Sequence, residues 1–338
     1  MAPAGRLVAA VVVVGMLAAG CGSSGGGDTG GGGSGVSDAV RPLRDVTLLL
    51  DFTPNPVHTG IFAATAEGFD REAGLNVAVR EPSASTDALK LLAAGRADLA
   101  VLDIHDLGLA REKGRDIVGV MALVQRPLAA VLAAADVRTP RALEGKSAGV
   151  TGLPSDTAVL RSVVTGAGGD PGRVREVTIG FNAVAALLSG RVAGATAFWN
   201  VEGVALRSRR PDARIFRVDD YGAPAYPELV VCATRRTLRE RPGLVRDTLA
   251  AIAQGYRFTI AHPALGLDDL LARNPGLDRP LAKAELTAVL PAFTAGAARF
   301  GELDPARLRA WAAWDVRFGI LTRPPDVARA FDRSFLPR

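Results

Sequence analysis

The sequence predicts an α/β fold of two lobes, each a mostly parallel sheet flanked by helices. Three observations predict it. Short apolar runs alternate with helical patterns from Val46 onward, an order that argues for strands joined by helical crossovers. The apolar stretch IVGVMALVQRPLAAVLAAA (Ile117–Ala135) is too long for one strand and is broken at Arg126-Pro127, so it reads as two strands joined by a crossover. A second β/α series follows, and beyond Arg235 the pattern turns helical to the end.

In chain order, VTLLLDF (Val46–Phe52) is strand-like and Gly60–Glu67 suits a helix that starts just after the turn DFTPNPVHTG. LNVAVRE (Leu75–Glu81) is the next strand, and STDALKLLAA (Ser85–Ala94) is a helix with Ser85 or Thr86 as its N-cap. DLAVLD (Asp98–Asp103) and a short helix over Asp106–Lys113, ended by Gly114, complete the first series. The second contains KSAGVTG, a helix from Ser155, VREVTIG, a helix over Asn182–Leu188, GATAF, ARIFRVDDYG and ELVVCAT. Trp311 and Trp314 lie at helical spacing in an amphipathic segment and read as packing.

The N-terminus reads as a secretory signal. Arg6 precedes an apolar segment, Leu7–Leu17, and LAAGC (Leu17–Cys21) then resembles the lipobox of bacterial lipoproteins. That resemblance implies cleavage before Cys21 and acylation of its thiol, an anchor on the extracytoplasmic face of the membrane. GSSGGGDTGGGGSG (Gly22–Gly35) is a flexible tether. The expected organisation is a signal over 1–20, a tether over 21–40, one lobe over 41–130, the second over 131–225, and a return to the first with C-terminal helices over 226–338.

Composition narrows the partners. The net charge of +5 is spread along the 338 residues, with no dense basic run interleaved with aromatics, so nucleic acid is not an expected partner. With Cys21 lipidated, Cys232 has no disulfide partner and reads as a buried, inert thiol. G-x-S-x-G, His-Glu-x-x-His and Walker signatures are absent from the sequence. No metal and no cofactor are expected.

Two such lobes imply a cleft at the carboxyl ends of their strands, so each turn after a strand is a candidate ligand contact. The richest turns are Asp51-Phe52-Thr53-Pro54-Asn55-Pro56-Val57-His58, Asp103-Ile104-His105-Asp106, GVTGLPSD (Gly149–Asp156), FWNVE (Phe198–Glu202) and DYGAPAYPE (Asp220–Glu228). Aromatic residues are only 5% of the chain, so their grouping at these turns is informative. Gly152–Asp156, a loop opening a helix, also offers free N–H groups that could hold an anion.

DFTPNPVHTGIFAATAEGFDREAGLNV, DALKLLAAGRADLAV, LVQRPL, VTGLPSD, FWNVEG and YGAPAYPELVV occur in the order found in the thiamine-precursor family, which the chain resembles over nearly its whole body. That family includes binding proteins for formylaminopyrimidine and hydroxymethylpyrimidine and the fungal pyrimidine synthase. The resemblance implies a type II periplasmic-binding-protein fold, a small heteroaromatic ligand captured by lobe closure, delivery to the permease subunits of an ABC importer, and a monomer. Closing hinges are expected near Arg126-Pro127 and near Asp219–Tyr221.

An aminopyrimidine calls for aromatic faces and for hydrogen-bonding groups at its edges. Phe52, Trp199, Tyr221 and Tyr226 can supply the faces. Glu202 is the first choice for a carboxylate on the amidine-like edge, with Asp51, Asp103 and Glu228 behind it. Asn55 offers both a donor and an acceptor, His58 can donate to a formyl or hydroxymethyl oxygen, and Ser155 and His105 complete the expected set. Each also has a structural reading: His58 as a helix cap, Asp51 as a turn former, Trp199 as lobe packing, Glu202 in an ion pair with Arg207, His105 as a packed residue at a helix start.

Two alternatives stand beside this reading. The first is a binder of riboflavin, or of a sulfonate or nitrate, although an anion would call for Arg or backbone N–H groups in the cleft, where acid and aromatic residues prevail at these turns. The second is a synthase. In the fungal enzyme a histidine is consumed, pyridoxal phosphate sits on a lysine, and iron binds a cysteine-rich motif. Here His105 matches the histidine, but Leu102 and Asp103 stand near the lysine position and only Cys232 remains of the cysteines. Relatives often carry Trp at the position of Phe52, a departure that bears on ligand identity.

Overall fold

The computed structural model describes residues 42–83 and 87–337. The signal, Cys21, the tether and the expected caps Ser85 and Thr86 lie outside the described residues. The described residues form ten strands: β1 (Arg44–Leu49), β2 (Leu75–Arg80), β3 (Leu99–Asp103), β4 (Ile117–Ala122), β5 (Ala129–Ala133), β6 (Ser147–Val150), β7 (Arg175–Thr178), β8 (Gly194–Phe198), β9 (Arg214–Arg217) and β10 (Leu229–Thr234). They form two five-stranded sheets, ordered β2-β1-β3-β10-β4 and β7-β6-β8-β5-β9.

Both sheets follow one plan. β1 pairs in parallel with β2 and β3, and β6 with β7 and β8. One strand of each sheet runs the other way: β10 is antiparallel to β3 and β4, and β5 to β8 and β9. The expectation of mostly parallel sheets therefore needs this refinement, and its cause is the path of the chain. β5 and β10 each follow a crossing between lobes. A strand that enters its sheet from the cleft side must run away from the cleft, against its neighbours.

Central strand β5 is buried throughout, and so is β4 at the edge of its sheet, where Phe331 lies against Gly119. Edge strand β2 alternates between covered and open positions. The C-terminal helices include Pro242–Ala261, Arg279–Val289 and Pro305–Arg317. Trp311 and Trp314 are buried on the last of these. No described helix is long and apolar enough to cross a membrane.

The two crossings, 123–128 and 218–228, are tied together. Leu128 N–H and Ala129 N–H donate to Glu228 Oε2 at 2.7 and 3.1 Å. Arg126 donates through Nη2 and Nε to Asp219 Oδ2 at 2.7 and 3.0 Å. Trp199 Nε1–H donates to Pro127 O at 2.9 Å, while the Arg217 guanidinium lies 4.0 Å from the Trp199 ring centre.

The helix Thr59–Ala66 packs closely on Pro242–Ala261 because glycines face each other. A Cβ on Gly255 would collide with the Gly60 carbonyl oxygen, and one on Gly60 would enter the Tyr256 ring. Tyr256 then reaches past Gly60 and donates its hydroxyl to Val57 O at 2.7 Å, which anchors the turn after β1. Gly255→Ala is expected to cost about 1–3 kcal/mol by overpacking. Denaturant titration checks it, and unchanged stability would show that the two helices can separate freely.

Candidate ligand site

The turn after β1 is held mostly by its own side chains. Asn55 Oδ1 accepts from Val57 N–H at 3.1 Å and its Nδ2 donates to Thr53 O at 3.1 Å. Asn55 N–H donates to His58 Nδ1 at 3.2 Å, so the ring proton sits on Nε2, which donates to Asp51 Oδ1 at 2.8 Å. Pro54 and Pro56 fix φ on either side of Asn55. The result is a stiff loop that holds Asp51 and Phe52 at the end of the first strand.

Those residues open onto a cavity of about 150 Å³ between the two sheets. The strand ends build it: Leu102 and Asp103 end β3, Ala197 and Phe198 end β8, and Ala129, Ala130 and Leu229 begin the two reversed strands. Thr151, Leu153, Ser155 and Asp156 come from the turn after β6, and Gly180 and Phe181 from the loop after β7. Five carboxyl groups line it (Asp51, Asp103, Asp106, Asp156 and Glu202), and no Arg, Lys or His does so among the described residues. Phe181 is 55% exposed, yet its ring lies 5.3 Å from that of Phe52, tilted by 38°, so a ring from each lobe meets at the cavity wall.

Desolvation governs four of these acids. Burial raises Asp103, Asp106, Asp156 and Glu202 above the usual carboxylate range. Hydrogen bonds oppose the rise in part. Asp156 accepts from both the N–H and the hydroxyl of Thr151, Asp103 Oδ1 accepts from His105 N–H at 2.8 Å, and Glu202 Oε2 accepts from Phe198 N–H at 3.2 Å. The site thus offers acceptors to its contents, and burial disfavours the charged form of four of its acids.

Of the expected contacts, Asp51, Phe52, Asn55, Asp103, Ser155 and Glu202 line the cavity. His58, His105, Trp199, Tyr221, Tyr226 and Glu228 do not, and each has a structural reason. His58 is fully buried in its own turn against Asp51. Trp199 and Glu228 hold the crossings. Tyr221 stands edge-on to Phe216 in the second lobe, with ring centres 5.8 Å apart. Tyr226 is buried edge-on to His105. Glu202 forms no ion pair with Arg207, whose Nε–H donates to Ala213 O at 3.4 Å. Phe181, Phe198, Asn200, Asp106 and Asp156 line the cavity without having been singled out. The clue to Asn200 and Phe198 was their place in the FWNVE turn.

His105 lies within a buried ionic network behind the cavity. Its Nδ1 is 2.8 Å from Asp315 Oδ1, and its Nε2 is 3.3 Å from the Tyr226 hydroxyl and 3.6 Å from Glu228 Oε1. Burial opposes a charged ring, but the carboxylates of Asp315 and Asp103 overrule it and raise His105 to about 10. Asp103, His105 and Glu228 bring possible ligand atoms within 4.8 Å of one another. Glu228 Oε2 already serves the crossing, and His105 is engaged by Asp315 and Tyr226, so the trio forms part of an ion-pair network. Cys232 is a free buried thiol, pushed up by desolvation, and is no nucleophile.

Two lobes with a cavity at the carboxyl ends of their strands define a class: the type II periplasmic-binding-protein fold. The periplasmic aliphatic sulphonate binding protein SsuA of Escherichia coli shares it, with a TM-score of 0.69 over 86% of this chain and 92% of that one at 15% identity. The chain belongs to the family described as NMT1/THI5 like, which it matches over residues 55–265. It is 33% identical to the formylaminopyrimidine-binding protein of Halalkalibacterium halodurans, over 71% of this chain and 73% of that one. It is also 25% identical to a 4-amino-5-hydroxymethyl-2-methylpyrimidine phosphate synthase of Saccharomyces cerevisiae, over 70% and 73% of the two chains.

Glu285 gives a pH-dependent prediction. It is 6% exposed on the helix Arg279–Val289, which packs against both the turn Pro56–His58 and the helix Glu202–Arg209. Desolvation, then the charges of Glu202 and Asp278, raise it from 4.5 to about 8. Its folded pKa lies above the unfolded one, so its contribution is complete below 4.5 and is lost as pH rises toward 8. Glu285→Gln, which stays neutral, should match the wild type in thermal stability at about pH 4.5 and exceed it above about pH 8. A melting-temperature difference that does not grow with pH would show that Glu285 ionises freely.

Proposed function

We propose that this chain is the extracytoplasmic binding component of an ABC importer and that it captures an aminopyrimidine precursor of thiamine by closing its lobes. One observation carries the reading. The cavity presents five carboxyl groups and Phe52, Phe181 and Phe198, with no basic side chain among the described residues that line it. That lining suits a flat, weakly basic, amine-bearing ring and opposes a sulfonate, a nitrate or a phosphate ester. Its size supports one ring: a dry cavity of about 150 Å³ takes up benzene, whereas a three-ring isoalloxazine is larger. The relative named for binding formylaminopyrimidine supports the same ligand class.

The chain acts as a binder rather than a synthase. Leu102 and Asp103 stand near the synthase's lysine position, and His105 is engaged in the network with Asp315, outside the cavity lining. A lipid on Cys21 would tether the body to the outer face of the membrane, and the tied crossings 123–128 and 218–228 would serve as hinges. Asp51, Phe52, Asp103, Ser155 and Glu202 are the proposed contacts, and Asn55 contributes to the wall while its amide holds the turn.

Calorimetry on residues 41–338 tests the ligand. Formylaminopyrimidine or hydroxymethylpyrimidine should bind at micromolar concentration or tighter. Saturation by riboflavin or an alkanesulfonate, with no heat from either pyrimidine, would overturn the reading. Glu202→Gln should weaken pyrimidine binding by roughly 1.5–3 kcal/mol, and unchanged affinity removes Glu202 from the contacts.

Affinity should also pass through a maximum with pH. The complex holds one proton shared between ring and carboxyl. At low pH both partners are protonated and one proton must leave; at high pH neither is, and one must be taken up. A titration series from about pH 5 to 9 should be bell-shaped and flatter in Glu202→Gln, whereas a monotonic profile argues against a shared proton.

A further inference from the structure

Asn200 sits in the turn between β8 and the helix Glu202–Arg209. It is 1% exposed and lines the cavity, and its Oδ1 is enclosed without a hydrogen-bond partner. Two other polar side chains of the lining are already engaged within the protein. Asn55 spends both ends of its amide on its own turn, and Asp156 accepts from Thr151. A buried carbonyl oxygen left unpaired is destabilising, so this one calls for a partner that the protein itself does not supply.

The chemistry of the amide indicates what. A carboxylate offers only acceptors, and the ring nitrogen of a neutral aminopyrimidine is itself an acceptor. The five cavity carboxyl groups serve the amine but cannot, when ionised, serve that nitrogen. A carboxamide carries an acceptor and a donor side by side, the arrangement by which Asn pairs with the amine and adjacent ring nitrogen of adenine. Rotation of the amide about its last bond exchanges the two ends, so either can face the ring.

We infer that Asn200 is a specificity-determining residue of the cavity, whose carboxamide pairs with the amine and adjacent ring nitrogen of the bound heterocycle by two parallel hydrogen bonds. The inference rests on the aminopyrimidine reading and adds to it. It divides the work between Asn200, which reads the neutral edge, and Glu202, which shares a proton with the ring.

The test pairs variants with two probes: 4-amino-5-hydroxymethyl-2-methylpyrimidine and the same ring with the amine replaced by hydrogen. In calorimetry Asn200→Leu should weaken the amino ligand roughly tenfold to hundredfold and change the affinity of the desamino ring less than about threefold. The melting temperature of the unliganded Leu variant should equal or exceed that of the wild type, because the unpaired oxygen is gone. Asn200→Asp keeps the shape and an acceptor and, measured at a pH high enough to ionise it, loses the donor. It should weaken the amino ligand about tenfold, and it carries the test if the Leu variant does not fold. Equal weakening of both ligands, or unchanged affinity for the amino ligand, overturns the role of Asn200 and leaves the ligand class intact. No binding of the amino ring by the wild-type protein overturns both.

Discussion

The carboxylate of Glu228 is the constraint on which the two-lobed arrangement depends. It belongs to the return crossing and holds the backbone N–H groups of Leu128 and Ala129 at the end of the outgoing one. Both reversed strands, β5 and β10, begin beside this contact, so it sets where each sheet receives its antiparallel member. The group is buried, and a buried carboxylate needs compensation. Two N–H donors supply part of it and His105 supplies the charge, itself held by Asp315 on a distant helix. The crossings, the floor of the first lobe and the C-terminal helices are thus joined through one ionic chain.

The cavity above that chain has a different electrostatic character. Behind it, acids are balanced by His105. Inside it, Asp106, Asp156 and Glu202 are desolvated and have no basic side chain facing them in the lining, and burial raises all three. An unbalanced acidic pocket is costly in an empty protein and favourable around a ligand that brings donors or a proton. The unpaired amide of Asn200 is part of the same imbalance. The stiff turn after β1 complements it: by satisfying its own polar groups through Asn55 and His58, it holds Phe52 and Asp51 in place with little freedom to lose on binding.

Much of the fold was legible in the sequence, because alternation of apolar runs and helical patterns is a local, periodic signal. The interrupted run at Arg126-Pro127 announced the crossing, and the expected hinge near Asp219–Tyr221 meets it through the pair Arg126–Asp219. The site was half legible. Turns after strands face the cleft, which brought Asp51, Phe52, Asn55, Asp103, Ser155 and Glu202 into the expected set. In the same turns Trp199 points into the crossing while Asn200, one residue later, lines the cavity, and an irregular turn has no period from which to tell them apart. Histidine drew attention as a reactive side chain, yet His58 and His105 are both committed to carboxylate partners.

The sequence by itself determined the order of the elements, the two lobes and the acidic and aromatic character of the strand-end turns, since these follow from composition and spacing along the chain. Only the tertiary structure decided which acids meet in one cavity without a balancing cation, that Phe181 of one lobe meets Phe52 of the other, and that Glu228 serves the crossings rather than the ligand. Those outcomes depend on contacts between residues far apart in the chain, such as Leu128 with Glu228 and His105 with Asp315, where burial and partner geometry fix what each side chain can do.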